Sequence, residues 1–387
     1  MNHHKKPLHL FWALIALISG IMIQTTYAFQ FETLALMFVG YALCITIGAY
    51  WYTRAQGRSV RNITRALYGL YVLTGALAVQ HQTTSLAKLN AFFCKQPLTV
   101  EGIIINKYSH DLTAGKWNQL TTLDVEIYSA APQPLPVTST RIQCFVKQTV
   151  ALEVGDTIMI KNIQAKKPPQ TPASGNPSFH LYLQKEGYTA SYFIKHNQIT
   201  LLNRPQKSIR RWLWNQRQTM FTSIIKQLNP MTAHFFATIF LGKKEPTSSQ
   251  ELRPLFSYWG LAHYLARSGL HIVLFISLWS FFLGLIPLHR RIKIICLLAC
   301  CIIYSALSWA STPFYRAFFT FIALQLGSLL DYTTSFFHIL SLICILFLLF
   351  NPLHLFFIDF QLTFGLTFAL SWITMVSTRP AEGDVSS

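Results

Sequence analysis

Acidic side chains are scarce in this sequence: 14 Asp and Glu stand against 32 Lys and Arg among 387 residues. Charged residues of both signs reach only 12%, and 52% of the chain is hydrophobic. Soluble domains carry roughly 25% charged residues, so this balance excludes an ordinary soluble protein and points to a membrane protein. The net charge of +18 suits a polyanionic partner, nucleic acid or anionic lipid headgroups, although topology signals alone also make membrane proteins basic. There is no GxxxxGK[ST] phosphate loop, so nothing in the chain would couple ATP hydrolysis to work. Ser268 has no strand–turn–helix elbow around it, and His263 and His271 lack the close spacing of a HExxH pair. Neither a catalytic residue, a metal nor a cofactor is expected.

The seven cysteines form no framework. Cys296, Cys300, Cys301 and Cys344 lie in apolar runs and read as small packing residues. Cys94 and Cys144 are the two in the polar middle of the chain, where a disulfide between them is plausible outside the cytoplasm.

Long apolar runs fill both ends. The first, Leu8 to Phe29, follows the basic start MNHHKKP. A signal peptide cut after Ala28 is one reading; a retained helix is the other, favoured because the run approaches 20 residues and a second span, Leu34 to Tyr52, follows at once. A third span covers Leu67 to Gln80. The loop before it holds Arg54, Arg58, Arg61 and Arg65 with no acidic residue, whereas the loop after the first span has no basic residue. The positive-inside rule therefore makes the N-terminus cytoplasmic and sends the third span outward.

From about Ala91 to Asn203 the chain changes character. PLTVEGIIINKYS, LTTLDVEIYSA, TRIQCFVKQT, DTIMIKNIQAKK and YTASYFIKHNQITLL alternate polar and apolar residues between turn signals such as EVGD. This pattern predicts a small all-β domain, for which a closed five-strand barrel of OB type is a natural fit. FHLYLQKEG reads as a short helix before the last strand.

Beyond it, KSIRRWLWNQRQTMFTSIIKQLNP interleaves Arg210, Arg211, Arg217 and Lys226 with Trp212, Trp214 and Phe221. A basic amphipathic helix at the membrane interface is expected, its tryptophans anchoring at headgroup level or stacking on bases. Five apolar stretches follow: Gly260 to about Pro287, Ile292 to Trp309, Phe314 to Leu330, Phe336 to Phe350 and Phe360 to Val376. HRRIK, between the first two, falls in the cytoplasm by the same alternation.

Polar residues recur at helical spacing inside these stretches. His263, Arg267 and His271 are four residues apart; so are Asp359, Thr363, Thr367 and Ser371; Arg316 and Thr320 make a shorter pair. Residues at i, i+4 and i+8 share one side of a helix. Charges at bilayer depth are costly and normally face protein or water, so these edges can wall a hydrated path for an anion. A buried ion pair of Asp359 with Arg316 or Arg267 is the competing account.

The stretch Leu241 to Phe275, LGKKEPTSSQELRPLFSYWGLAHYLARSGLHIVLF, resembles the signature of the ComEC family of DNA-uptake channels in bacterial natural transformation. STPFYRAFFTFIALQLG and NPLHLFFIDFQLTFGLTF resemble two later helices of that family, and GNPSFHLYLQKEGYTASYF is similar to the end of its OB-like domain. Arg267 stands where many members carry an aliphatic residue, and His180 replaces the usual Asp after Phe179. Full-length members continue to a metallo-β-lactamase-like domain. Nothing in this chain resembles its His-x-His-x-Asp-His motif, so the resemblance implies either a short family member or an incomplete gene, with any nuclease activity supplied from elsewhere.

The expectation is thus a polytopic α-helical membrane protein with an inserted, extracytoplasmic OB-like domain. About three transmembrane helices fall in 1–90, the OB-like domain in 91–203, amphipathic or interfacial helices in 204–259, a competence-type channel domain of about five helices in 260–378, and a polar tail in 379–387. The resemblance implies an inner-membrane channel for single-stranded DNA, its path lined by His263, Arg267, Ser268, His271, Arg316, Asp359, Gln361 and Thr363. Arg210, Arg211, Trp212, Trp214, Arg217 and Lys226 would meet DNA or headgroups at its mouth. An ATP-driven cytoplasmic partner would pull the strand, and a homodimer is one way to close a short pore. A small-anion or solute transporter, a non-transporting envelope scaffold, or an incomplete remnant of the channel are the rival readings.

Overall fold

In the computed structural model the described residues are 9–56, 60–95, 97–111, 119–147, 151–163, 179–205, 208–229, 232, 236, 258–259, 269–308, 312–331 and 335–377. They form two units, one split between 1–84 and 315–387, the other continuous over 85–314.

The split unit is helical. It contains α1 (His9–Tyr27), α2 (Phe31–Gln56) and most of α3 (Val60–Lys95), then α8 (Thr312–Leu329, from Tyr315), α9 (Phe336–Phe350) and α10 (Ile358–Ser377). Its core joins Leu14, Leu17 and Ile21 of α1 to Val79 of α3, to Leu340, Ile343 and Leu348 of α9, and to Phe360 and Phe364 of α10. Two glycines let α1 and α3 meet backbone to backbone. A Cβ on Gly20 would stand 1.8 Å from the Val72 carbonyl oxygen, and one on Gly75 would stand 2.3 Å from that of Leu17. Small residues at helix crossings are the packing solution of apolar surroundings, where burial alone drives no association.

The helix directions can be read from paired ends. His9 Nδ1 lies 3.1 Å from the Tyr68 hydroxyl near the start of each helix, and Gln24 Nε2 donates to Gln80 Oε1 at 2.6 Å further along, so α1 and α3 run parallel. Phe11 packs on Phe337, at the start of α9, and on Phe368, late in α10. α9 therefore runs with α1, and α10 against it. Ser335 caps α9 by accepting from His338 N at 3.4 Å.

The continuous unit is built on a mixed six-strand sheet: β1 (Leu98–Asp111), β2 (Gln119–Ala131), β3 (Thr140–Val146), β4 (Thr157–Ile163), β5 (Tyr188–Ile194) and β6 (Ile199–Asn203), in the order β5-β3-β2-β1-β4-β6. All neighbours are antiparallel except β3 and β5. β1 serves two partners, pairing β2 along its length and β4 with its first half. It bends to do so at bulges near Gly102, where a Cβ would lie 2.7 Å from the Glu126 carbonyl oxygen.

Strand alternation fills the inner face, as in β3, where Ile142, Cys144 and Val146 are buried between exposed or half-buried neighbours. One apolar cluster takes residues from β1 through β5 and is plugged by Leu89 and Phe93 of α3. Phe93 has no exposed surface; burying such a ring contributes about 2–3 kcal/mol.

Two expectations need correction. The barrel is not closed: the sheet is open, with six strands rather than five. YTASYFIKHNQITLL is broken at Lys195, whose backbone N–H donates to the Gln198 side chain at 2.9 Å around a 3₁₀ turn. The second half becomes β6, which occupies the β4 edge on which β5 would have closed. The third apolar span also belongs to a longer helix, because the periodicity of Leu86, Leu89 and Phe93 continues past the end of the oily run at Gln80.

The same unit holds α4 (Phe179–Lys185), α5 (Ile209–Gln227), α6 (Gly269–Leu285) and α7 (Arg290–Leu307). Phe275 of α6 stacks on Tyr304 of α7 at 4.2 Å. Among the described residues one helix, α1, is both long and apolar enough to cross a membrane; Glu32–Cys44, His271–Leu285 and Phe336–Phe350 are apolar but shorter.

Candidate functional site

His263, Arg267 and Ser268 lie outside the described residues. His271 sits half-buried in the first turn of α6. Arg316 is in the second turn of α8, half-buried, with Nε withdrawn from solvent and without a hydrogen-bond partner. No ion pair joins Arg316 to any carboxylate among the described residues, Asp359 included. The Arg316 half of the competing ion-pair account is therefore not what the structure holds, and its Arg267 half lies outside the described residues. Thr320, one turn on, donates from Oγ1 to the Arg316 carbonyl oxygen at 2.7 Å and gives nothing to the guanidinium.

Asp359, Thr363, Thr367 and Ser371 run half-buried along one side of α10. Thr367 donates to the Thr363 carbonyl and Ser371 to that of Thr367, each at 2.7 Å, so these two hydroxyls satisfy their own donors within the helix. Phe360 and Phe364 lie on the adjoining core side. Gln361 is elsewhere: exposed, it donates from Nε2 to the Leu355 carbonyl at 2.8 Å and closes the 3₁₀ turn before α10.

The basic belt of α5 is divided between internal and external work. Arg211 is tied to the sheet, bonded to Asp156, to the Val154 carbonyl at 3.3 Å and to the Pro205 carbonyl at 2.8 Å. Arg210 pairs with Glu126 of β2 at 2.9 Å. Arg217 donates twice to the Ala306 carbonyl, at 2.9 and 2.7 Å. That places a cation on the orphan carbonyls at the end of α7, where the helix dipole favours it. Trp214 packs on the sheet core and meets Tyr108 edge-on at 6.3 Å. Trp212, 59% exposed, and Lys226 face outward.

Cys94 and Cys144 are separate thiols, correcting the expected disulfide. Cys144 points into the sheet core with its thiol pushed up by burial. Phe93 inserts into the same core, and successive helical residues diverge by about 100°, which turns Cys94 aside to a half-buried position.

Three features escaped the sequence reading. Asp156, fully buried, accepts from the Glu153 N–H at 2.9 Å and pairs with both Arg204 (2.9 Å) and Arg211. The EVGD turn that presents it uses Gly155 at φ +90°, a conformation glycine adopts freely. Asp124, buried on β2, accepts from Asn106 at 3.2 Å and Gln143 at 3.4 Å; burial raises its carboxyl above the usual range, against the pull of bonds from Tyr188, Asn106 and Gln143. In the split unit Gln82 Nε2 donates to Asn351 Oδ1 at 2.9 Å, and the Oε1 atoms of Gln24 and Gln82 are buried without a partner. Isolated glutamines in apolar runs were the available signal.

Residues 239–384 match the family described as Competence protein. They are a Competence domain of the ComEC family. α6 to α10 fall within this Competence domain, and so do His271, Arg316 and the polar side of α10. The family that this domain matches is membrane-associated and has a role in DNA uptake during transformation. No curated protein and no solved structure matches the chain significantly.

Proposed function

We propose that this chain is an inner-membrane channel that passes single-stranded DNA into the cytoplasm during natural transformation. The observation that carries the reading is the Competence domain over 239–384, with a half-buried arginine inside it that has no carboxylate among the described residues. A guanidinium presents planar donors suited to a passing phosphate, and the hydroxyl-bearing side of α10 offers the same domain a wettable wall.

Two further features support a polytopic arrangement. Leu362, Leu366 and Leu370 form an exposed apolar stripe on α10, more than half of each in contact with solvent, as do Leu278, Phe281 and Leu285 on α6. Such stripes suit lipid and are a liability in water. The helix directions agree as well: alternation from a cytoplasmic N-terminus sends α1, α3 and α9 outward and α10 inward, which is the parallel and antiparallel packing observed. The extracytoplasmic domain is OB-like in strand order. β5-β3-β2-β1-β4, with β3 and β5 parallel, is an OB-type barrel opened at one seam, with β6 added there. Strand movement would be driven by a cytoplasmic ATP-consuming partner.

The test is import of fluorescent DNA into a nuclease-protected cytoplasmic pool. Cells lacking the gene, cells restored with it, and cells carrying Arg316→Ala or Arg267→Ala are compared. Restoration by the intact gene and loss with either variant supports the channel. If the intact protein reaches the membrane and restores nothing, the proposal fails.

A further inference from the structure

The continuous unit carries a second pattern, visible only once the strands are paired. Phe145-Val146-Lys147 closes β3 and Phe193-Ile194-Lys195 closes β5. The two strands are parallel and in register, Phe145 opposite Phe193 and Val146 opposite Ile194. Val146 and Ile194 point into the core, so both phenylalanines face out. Their rings stack at 5.1 Å and 28°. Phe193 is 75% exposed, on a strand at the end of the sheet. Lys147 and Lys195 are exposed just beyond the rings, and Arg141 is exposed on β3 before them. Neither segment, 140–147 or 188–195, contains an acidic residue.

An exposed ring that packs against one neighbour and leaves its other face open is poorly explained by folding. It gains little from burial and presents a flat aromatic surface to solvent. Two lysines within reach add the opposite charge to a phosphate backbone. Aromatic faces beside cations are how single strands are held without regard to sequence, each base stacking while its phosphate is neutralised. A membrane contact would call for a continuous apolar patch. This one is two rings wide and bordered by Gln143 and Ser191 on one side and by the lysines on the other.

We infer that the outer face of the β3–β5 pair is a stacking platform for single-stranded nucleic acid, with Phe193 as the base-stacking ring, Phe145 as its support, and Lys147 and Lys195 as phosphate partners. This rests on the reading of the chain as a DNA carrier and names the face that receives the strand.

The experiment uses the full chain in phosphatidylcholine nanodiscs and a short fluorescent oligothymidylate, followed by anisotropy across a salt series. Phe193→Ala is expected to weaken binding about tenfold, the scale of one lost base stack, with the salt dependence unchanged. Phe193→Trp retains affinity. Lys147→Gln with Lys195→Gln lowers the slope of log affinity against log salt by about 0.7 for each lysine. Equal binding by wild type and Phe193→Ala overturns the platform, as does absence of oligonucleotide binding by wild type. Quenching of the introduced tryptophan by brominated phospholipid would make the face a membrane contact and also overturn it. DNA import by the same chain in cells decides the channel reading separately, since a carrier can receive its strand at another surface.

Discussion

Asp156 is a fully buried charge in one unit and Arg316 a half-buried one in the other, and they are supported in opposite ways. Asp156 has two arginines and a backbone N–H around it. Arg316 has an unpartnered Nε and no carboxylate among the described residues. A buried charge with complete pairing locks the elements that supply its partners, here the EVGD turn and the start of α5. A buried charge without pairing stabilises nothing and costs solvation.

This contrast can be broken at its first member. Asp156→Ala leaves two cations facing an empty site and is expected to destabilise the continuous unit by about 3–5 kcal/mol, read as lost protease resistance of the full chain in detergent. A smaller loss, about 1–3 kcal/mol for overpacking, is expected in the split unit from Gly75→Leu. There the new side chain meets the Leu17 carbonyl, and thermal unfolding in detergent is the measurement. Helix rearrangement is the relief available.

Asp124→Asn sharpens the comparison at an intermediate case, a buried carboxylate held by the neutral donors Tyr188, Asn106 and Gln143. Its raised pKa means that the folded state holds the proton longer than the unfolded chain. Stability should therefore be greatest below the ordinary carboxylate value near 3.8 and decline as pH rises from there through the folded value. The neutral amide of the variant should flatten that decline, measured as denaturation midpoint against pH. The smallest effect on stability is expected from Arg316→Gln, within about 1 kcal/mol of wild type, while DNA import is lost. A variant that unfolds instead would return Arg316 to a structural role.

Much of this was legible in the chain. The apolar runs located α1, α2 and α7 to α10 to within a few residues, because length and hydropathy are the signals by which such helices are selected. Alternation located five strands and ran the sixth into the fifth. What escaped depends on distance in sequence. The break at Lys195 is its backbone N–H donating to the Gln198 side chain three residues on, which alternation does not register. α3 outruns its oily segment because its later turns pack on protein. The roles of Arg210, Arg211 and Arg217 were hidden for the same reason: basic periodicity shows that a helix has a charged side, while Glu126, Asp156 and the Ala306 carbonyl decide what that side touches. The stripe on α10 was visible as spacing, but the hydroxyls of Thr367 and Ser371 turn to carbonyls one turn earlier in the helix.

The packing of α1 against α9 and α10 bears on how the protein is made. Phe11, Leu14 and Leu17 leave the ribosome before the sheet is made, yet the surfaces that cover them, around Phe337, Leu340 and Phe364, are synthesised after it. Until then the first helix has α3 on one flank and an unfilled flank elsewhere. A chain interrupted after the sheet would therefore be left with an unmatched helix surface of the kind that assembly factors and proteases detect. Joining α1 to α9 and α10 in one core makes completion of the later helices a condition for the stability of α1.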